Sequence, residues 1–208
     1  MNNVLYEPLP QEWNGYPLNT WFQIGVQIYL VSEDEELMDF ERADVIADLL
    51  FPGECPLPEE MRECIGWFLN GWYHDKSPKE KKKHRLLDFH KDQWRIYADF
   101  RQIYGINLNE ADLHWWEFMA LLWNMPRQQS SFLQVIELRQ KKITSRMGKE
   151  EKEAVRRAQY IYGLERGSSR RREYTEEEKQ RIDEVDRIRA DMKAKKRQQQ
   201  EALAAFRR

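Results

Sequence analysis

The apolar residues near the amino end are spaced for a short hairpin. Asn14-Gly15 lies between Trp13 and Tyr16, and this dipeptide readily supplies the two positive φ angles of a tight hairpin turn. Prolines are poorly tolerated inside strands because they lack a backbone N–H. Since prolines stand at positions 8, 10 and 17, we predict that the hairpin is confined to about residues 4–18.

Helical signals follow the hairpin. Asn19 or Thr20 is placed to cap a first helix, and Pro52-Gly53 ends a second run of helical spacing. Pro58 opens a third helix at a first-turn position, where its missing N–H would have been unpaired in any case. These signals predict three helices between the hairpin and about residue 71.

A stripe of apolar residues at helical spacing extends from Asp88 to Tyr104. Asp88 is placed as the N-cap of this helix, and Gly105 follows it as a left-handed C-cap. Asp92 falls among basic residues on the polar side, so we interpret that face as solvated.

The next predicted helix, capped by Asn109, is apolar nearly all round. Such a helix lies at the centre of a core or in an interface. We favour the core, and assign Trp116 to it, because aromatic residues at helical spacing usually pack inward. The interface interpretation stays open, and it makes four residues candidate contacts with a client or with a second copy: Trp115, Phe118, Met119 and Leu122.

The distribution of tryptophan predicts where the folded body ends. All eight tryptophans fall before position 124, and aromatic residues dominate core energetics. We predict a helical body over residues 1–147, a connecting helix over 148–165, a linker over 166–174 and a charged helical tail over 175–208. The fold class is therefore mainly α, with a short N-terminal β-hairpin and a C-terminal charged helical extension.

The tail helix carries only a thin apolar stripe, so it is marginal alone and would gain order by docking. Four residues of this stripe are further candidate contacts with a client or with a second copy: Ile182, Val185, Ile188 and Met192.

Charge is divided unevenly along the 208 residues, although the net charge is only −2. Residues 1–138 carry 12 basic and 23 acidic side chains, whereas residues 139–208 carry 22 basic and 13 acidic ones. Within residues 166–208, 14 basic side chains are interleaved with 9 acidic ones, which would repel phosphates. We therefore favour a solvated, salt-bridged helix or a protein-docking arm over a segment that binds nucleic acid.

The longest apolar run, Phe118 to Trp123, has six residues, against roughly 20 for a helix that spans a membrane. The first basic residue is Arg42, so the opening of the chain does not resemble a secretory signal. We therefore expect no membrane partner and a location in the cytoplasm where the chain is made. With only two cysteines, Cys55 and Cys64, we expect reduced thiols.

Motifs for catalysis are not evident in the sequence. The nine glycines form no phosphate-binding pattern, and the gaps separating Cys55, Cys64, His74 and His84 do not bring metal ligands onto one turn. Carboxylates flank the helix predicted from Asp88 to Tyr104 and the helix capped by Asn109. Their positions fit the usual role of acidic residues at helix starts. We expect a protein that is not an enzyme, with no catalytic residues, no cofactor and no metal.

The stretch from Leu87 to Lys142 resembles the bacteriophage gene-product-fifteen family. The resemblance rests on Asp88-Phe89, Tyr104-Gly105-Ile106-Asn107-Leu108, His114-Trp115-Trp116-Glu117-Phe118, and Phe132 with Val135-Ile136 and Arg139. Residues 20–73 resemble the family loosely. Asn107 stands where an Asp is usual, and the charged tail is not explained by the resemblance.

Members resemble tail assembly chaperones of long-tailed phages that infect Gram-positive bacteria. The family implies a protein that binds the helix-rich tape measure protein, keeps it soluble while the tail tube assembles, and self-associates along it. The major tail tube protein is a further expected partner. We expect the protein in the host cytoplasm and absent from the mature virion. Two alternatives stay open: a structural tail or connector component retained in the virion, and a nucleic-acid-binding adaptor that uses the basic tail.

Overall fold

The computed structural model describes residues 4–72, 85–164 and 175–206. Within these ranges the chain is mainly helical, with one hairpin ahead of the helices. The strands are β1 (Glu12–Trp13) and β2 (Tyr16–Pro17); the helices are α1 (Phe22–Glu33), α2 (Asp39–Leu50), α3 (Pro58–Asn70), α4 (Phe89–Asp99), α5 (Trp115–Trp123), α6 (Ser131–Gln140), α7 (Lys149–Tyr162) and α8 (Glu176–Phe206). A π-helical segment, Phe100–Tyr104, continues α4 directly. The predicted fold class is confirmed.

The hairpin forms where Asn-Gly predicts it. Trp13 pairs with Tyr16 in antiparallel register, and the two turn residues, Asn14 and Gly15, have φ angles of 48° and 83°. Asparagine and glycine tolerate positive φ better than other residues, so the local sequence determines this turn.

Several helix starts agree with the prediction, and two differ. The Asp88 side chain accepts hydrogen bonds from the backbone N–H groups of His90 and Lys91, both at 2.9 Å, as an N-cap should. α1, however, begins after Trp21 and has no side-chain cap. Thr20 is used elsewhere, because its hydroxyl donates to Gln11 and its carbonyl accepts from the Trp115 backbone N–H.

The predicted cap of α5 was wrong. The helix begins at Trp115, and its N-cap is His114, whose Nδ1 accepts from the Trp116 backbone N–H at 3.0 Å. The other ring nitrogen, Nε2, lies 2.9 Å from the carbonyl oxygen of Pro10. Burial lowers the pKa of His114, which keeps Nδ1 free to accept. His114 therefore joins α5 to the segment that precedes the hairpin.

The core is centred on Trp115, which is fully buried. Its indole lies beside the rings of Phe68, Phe89 and Phe118, with ring centroids about 6 Å apart. α1 passes closely over this indole, because a Cβ at Gly25 would overlap the Trp115 ring. Glycine at this position lets the two helices approach.

The remaining helices extend from this core. α4 packs against α6, and α6 packs against α7, where Val155 is buried. α7 coincides closely with the predicted connecting helix and is packed on the body. The tail helix α8 begins one residue after Thr175, where the predicted tail starts. The predicted linker, residues 166–174, lies outside the described residues.

Candidate binding surfaces

The four candidate contacts on α5 are core residues in this structure. Trp115 and Leu122 are fully buried, and Phe118 and Met119 are at most 2% exposed. This burial supports the core interpretation of α5, because α1, α3 and the aromatic rings around Trp115 cover these side chains. Phe118 also lines a groove described below. Trp116 is also buried, as predicted, and its indole N–H donates to the Phe68 carbonyl at 2.7 Å.

The four candidate contacts on the tail lie in different surroundings. Ile182 and Val185 are half-buried, whereas Ile188 is 52% exposed. The Met192 side chain is outside the part of the chain that the structure describes. Ile182 lines a groove of the body that is described below. The structure therefore does not bring the tail residues and the α5 residues together.

An apolar groove, here called the α1–α4 groove, opens beside the core and has a volume of about 330 Å³. Phe22 and Phe118 line it as a stacked pair, with ring centroids 4.8 Å apart. Trp94, also in the lining, is 75% exposed and meets Tyr97 edge to face. The groove thus joins buried aromatic rings to an exposed indole. The other lining residues are Val26, Phe89, Gln93, Ile96, Leu108 and Asn109.

The loop along this groove is held by Asn107. Its Oδ1 accepts from the Tyr97 hydroxyl at 3.1 Å and from the Asn109 backbone N–H at 3.3 Å. Both bonds need only an acceptor oxygen, which a carboxylate also offers. An aspartate at this position would therefore be compatible with the same loop geometry.

A buried ion pair fixes α4 against α6 and α7. Arg139 donates to Asp92 in bidentate geometry, with Nη1–Oδ2 at 2.6 Å and Nη2–Oδ1 at 2.8 Å. The same guanidinium donates to the carbonyls of Leu86 and Tyr162. Asp92 is fully buried, so the interpretation of its face as solvated was wrong. The sequence shows charges at helical spacing but not the partner 47 residues later.

Asp99 has a structural role that the sequence analysis missed. This buried carboxylate accepts from the Ser130 hydroxyl at 2.7 Å, from both the backbone N–H and the hydroxyl of Ser131, and from the Phe132 backbone N–H. It therefore caps the start of α6 from a different helix. The signal that could have revealed it is the lone acid at the end of an apolar stripe. Asp92 and Asp99, which are both buried, hold helices together.

A second groove, here called the α2–α3 groove, has a volume of about 500 Å³. Apolar residues of α2 and α3 line it, and Arg42 and Arg62 lie among them. Arg42 pairs with Asp39 at 2.9 Å, whereas Arg62 is exposed. Ile182 of the tail helix completes the lining. The apolar lining residues of α2 and α3 are Phe40, Ala43, Ile46, Pro58, Met61 and Ile65.

The two thiols differ in accessibility. Cys55 is exposed and Cys64 is buried, and burial raises the pKa of the Cys64 thiol to about 12. Across residues 4–72, 85–164 and 175–206, no three His, Cys, Asp or Glu side chains are grouped so as to hold a metal ion. In the same ranges, no helix has the length and apolar character needed to cross a membrane.

Comparison with known proteins identifies the family. A family model described as Bacteriophage Gp15 protein matches residues 5–164. No curated protein and no solved structure matches the chain. The matched segment includes the hairpin, both grooves apart from Ile182, and helices α1 to α7. Since it covers well over half of the 208 residues, the chain belongs to the bacteriophage Gp15 protein family.

Proposed function

We propose that this phage protein is a tail assembly chaperone that binds apolar helical segments of the tape measure protein and keeps them soluble while the tail tube assembles. It acts by binding alone, without catalysis or a cofactor, in the host cytoplasm, and leaves before the virion is complete. Family membership and the resemblance of residues 87–142 support the proposal.

The α1–α4 groove is the observation that carries the proposal. Its aromatic lining and volume of about 330 Å³ suit the apolar side chains that an amphipathic helix presents at positions i, i+3 and i+4. Trp94 supplies an exposed apolar anchor at the groove, and tryptophan is enriched among residues that dominate binding energy. The lining of the α1–α4 groove therefore suits a segment of a helix-rich client.

Affinity for such a client must be moderate, because the chaperone has to leave when tube subunits arrive. A groove of this size buries only part of one helix face, so stable coverage of a long client requires several copies side by side. This is the physical reason to include self-association in the proposal.

Co-expression with a tape measure fragment tests the proposal. We expect the fragment to stay soluble with the unchanged chain and to precipitate with Trp94→Asp, which places a charge at the groove. Tyr160→Asp is the matched control, because Tyr160 is 91% exposed on α7 and is not among the residues lining the groove. If the fragment precipitates equally with and without the protein, the chaperone function is excluded.

A second measurement separates the chaperone from a structural component. Mass spectrometry of assembly intermediates and of finished virions should find the protein only in the intermediates. Its presence in finished virions in constant copy number would identify a retained tail or connector protein. Nucleic-acid binding is less favoured, because α8 carries 8 basic and 8 acidic side chains and offers phosphates no uniformly basic face.

A further inference from the structure

The α2–α3 groove is separate from the groove assigned to the client, and a helix already contributes to it. Ile182, near the start of α8, lies against residues from α2 and α3. α8 has 31 residues and therefore extends about 46 Å at 1.5 Å per residue. Among the α8 side chains that the structure describes, Ile182 is the one in the lining of this groove, and Ile188 is 52% exposed.

The residues that line the groove carry a small excess of positive charge, whereas the start of α8 is acidic. The groove lining contains Arg42, Arg62 and Asp39, and the pairing of Arg42 with Asp39 leaves Arg62 as the excess positive charge. The first part of α8, residues 176–186, carries six acidic and two basic side chains. An apolar helix with acidic flanks is therefore the partner that this groove fits.

We propose that the α2–α3 groove is a second helix-binding site, specific for an apolar helix with acidic flanks, and that the first turns of α8 occupy it until a client helix of that chemistry displaces them. The tail is then an intramolecular competitor. This inference rests on the proposed function, because it requires a helical client, and it adds to it a site and its regulation.

The consequence is a weakened apparent affinity for the client. When a site is competent for only a fraction of the time, its apparent dissociation constant rises by the inverse of that fraction. A tail that contributes one half-buried isoleucine is held loosely enough to be displaced. The tail also aids release of the client, because it competes for the groove and returns to it.

A labelled peptide tests this with the full chain. The probe is a fluorescein-labelled peptide with the sequence of residues 175–190, and fluorescence anisotropy reports its binding. We expect the Ile182→Asp chain to bind the peptide at least about tenfold more tightly than the unchanged chain, because its own tail no longer competes. Adding Arg62→Glu to Ile182→Asp should weaken binding at least about tenfold, because the attraction of the acidic flanks is lost.

Ile188→Asp is the matched control, since it makes the same change on the same helix at a residue that does not line the groove. It should leave peptide affinity at the value of the unchanged chain. Equal peptide affinity for the Ile182→Asp and Ile188→Asp chains would overturn the inference. Sedimentation of both variants supplies a second readout. If Ile182→Asp alone lowers the oligomer mass, then α8 of a second copy occupies the groove. That result would overturn the inference that the chain's own tail occupies it.

The outcome is independent of the tape measure experiment. If the tape measure fragment precipitates while the peptide distinguishes the variants as expected, the tail does occupy the α2–α3 groove. In that case the client is a helical protein other than the tape measure protein. If the fragment stays soluble but the peptide does not distinguish the variants, the chaperone function stands and the tail does not regulate it.

Discussion

Helices α5 and α8 both carry candidate contact residues in the sequence, yet α5 is buried in the structure and the described side chains of α8 are mostly exposed. α5 has nine residues, of which eight are apolar, and only Glu117 is exposed. α8 has 31 residues and a thin apolar stripe, of which Ile182 lines the α2–α3 groove.

This difference shows that the share of apolar residues around a helix determines whether the helix is buried. Full burial of one large apolar side chain contributes about 1.5–3 kcal/mol, so α5 gains most by having neighbours on every side. α8 has one apolar row among many charges and gains little from burial. A helix with many apolar residues therefore becomes part of the core, and one with few keeps most of its surface exposed.

The largest effect should come from truncating α5 itself. Trp116→Ala should lower the free energy of unfolding by about 3–5 kcal/mol, because a large buried ring is removed and the Phe68 carbonyl loses its donor. Chemical denaturation of the full chain measures this. A loss below about 1 kcal/mol would place Trp116 outside the core, contrary to the structure.

A somewhat smaller loss should follow from removing the ion pair that joins α4, α6 and α7. Arg139→Ala leaves Asp92 buried without its bidentate partner, and breaking a buried pair in this way costs about 3 kcal/mol or more. Arg95, whose Nη1 lies 3.6 Å from Asp92, compensates in part. Glu137→Ala, on the exposed side of the same helix, should change stability by less than about 0.5 kcal/mol. Equal losses for the two variants would contradict the role of Arg139.

The cap of α5 should make stability depend on pH. Burial lowers the pKa of His114 in the folded state, whereas the unfolded chain keeps a value near 6.5. Below about pH 6.5 the unfolded state binds the extra proton, so this contribution to stability is present at neutral pH and is lost as pH falls toward the folded-state pKa. Denaturation should give a lower free energy of unfolding at pH 5.5 than at pH 7.5. This difference should be smaller in His114→Asn, because asparagine can also cap α5. An unchanged loss in that variant would assign the pH dependence to other groups.

The smallest effect should come from the exposed part of the tail. Ile188→Ala should change the free energy of unfolding by less than about 0.5 kcal/mol, because Ile188 is 52% exposed. The same denaturation assay as for Trp116→Ala applies. A loss of 2 kcal/mol or more would show that α8 is packed along its length, and the contrast with α5 would fail.

Prediction from the sequence succeeded where the cause is local. The Asn14-Gly15 turn, the Asp88 cap and the left-handed Gly105, with a φ of 70°, each depend on a few consecutive residues. The aromatic helix was also assigned to the core. The alternative of an interface on α5 stayed open in the sequence, because periodicity measures how apolar a helix is and does not reveal which neighbours cover it.

The sequence by itself determined the order of helices, the hairpin, the central place of the tryptophan-rich segment and the division between an aromatic body and a charged tail. Only the tertiary structure decided that His114 caps α5, that Asp92 pairs with Arg139 and that Asp99 caps α6, because each partner is brought in from a distant segment or depends on where a helix begins. It also decided which apolar residues line grooves. A groove belongs to two helices at once, and its shape follows from how their side chains pack.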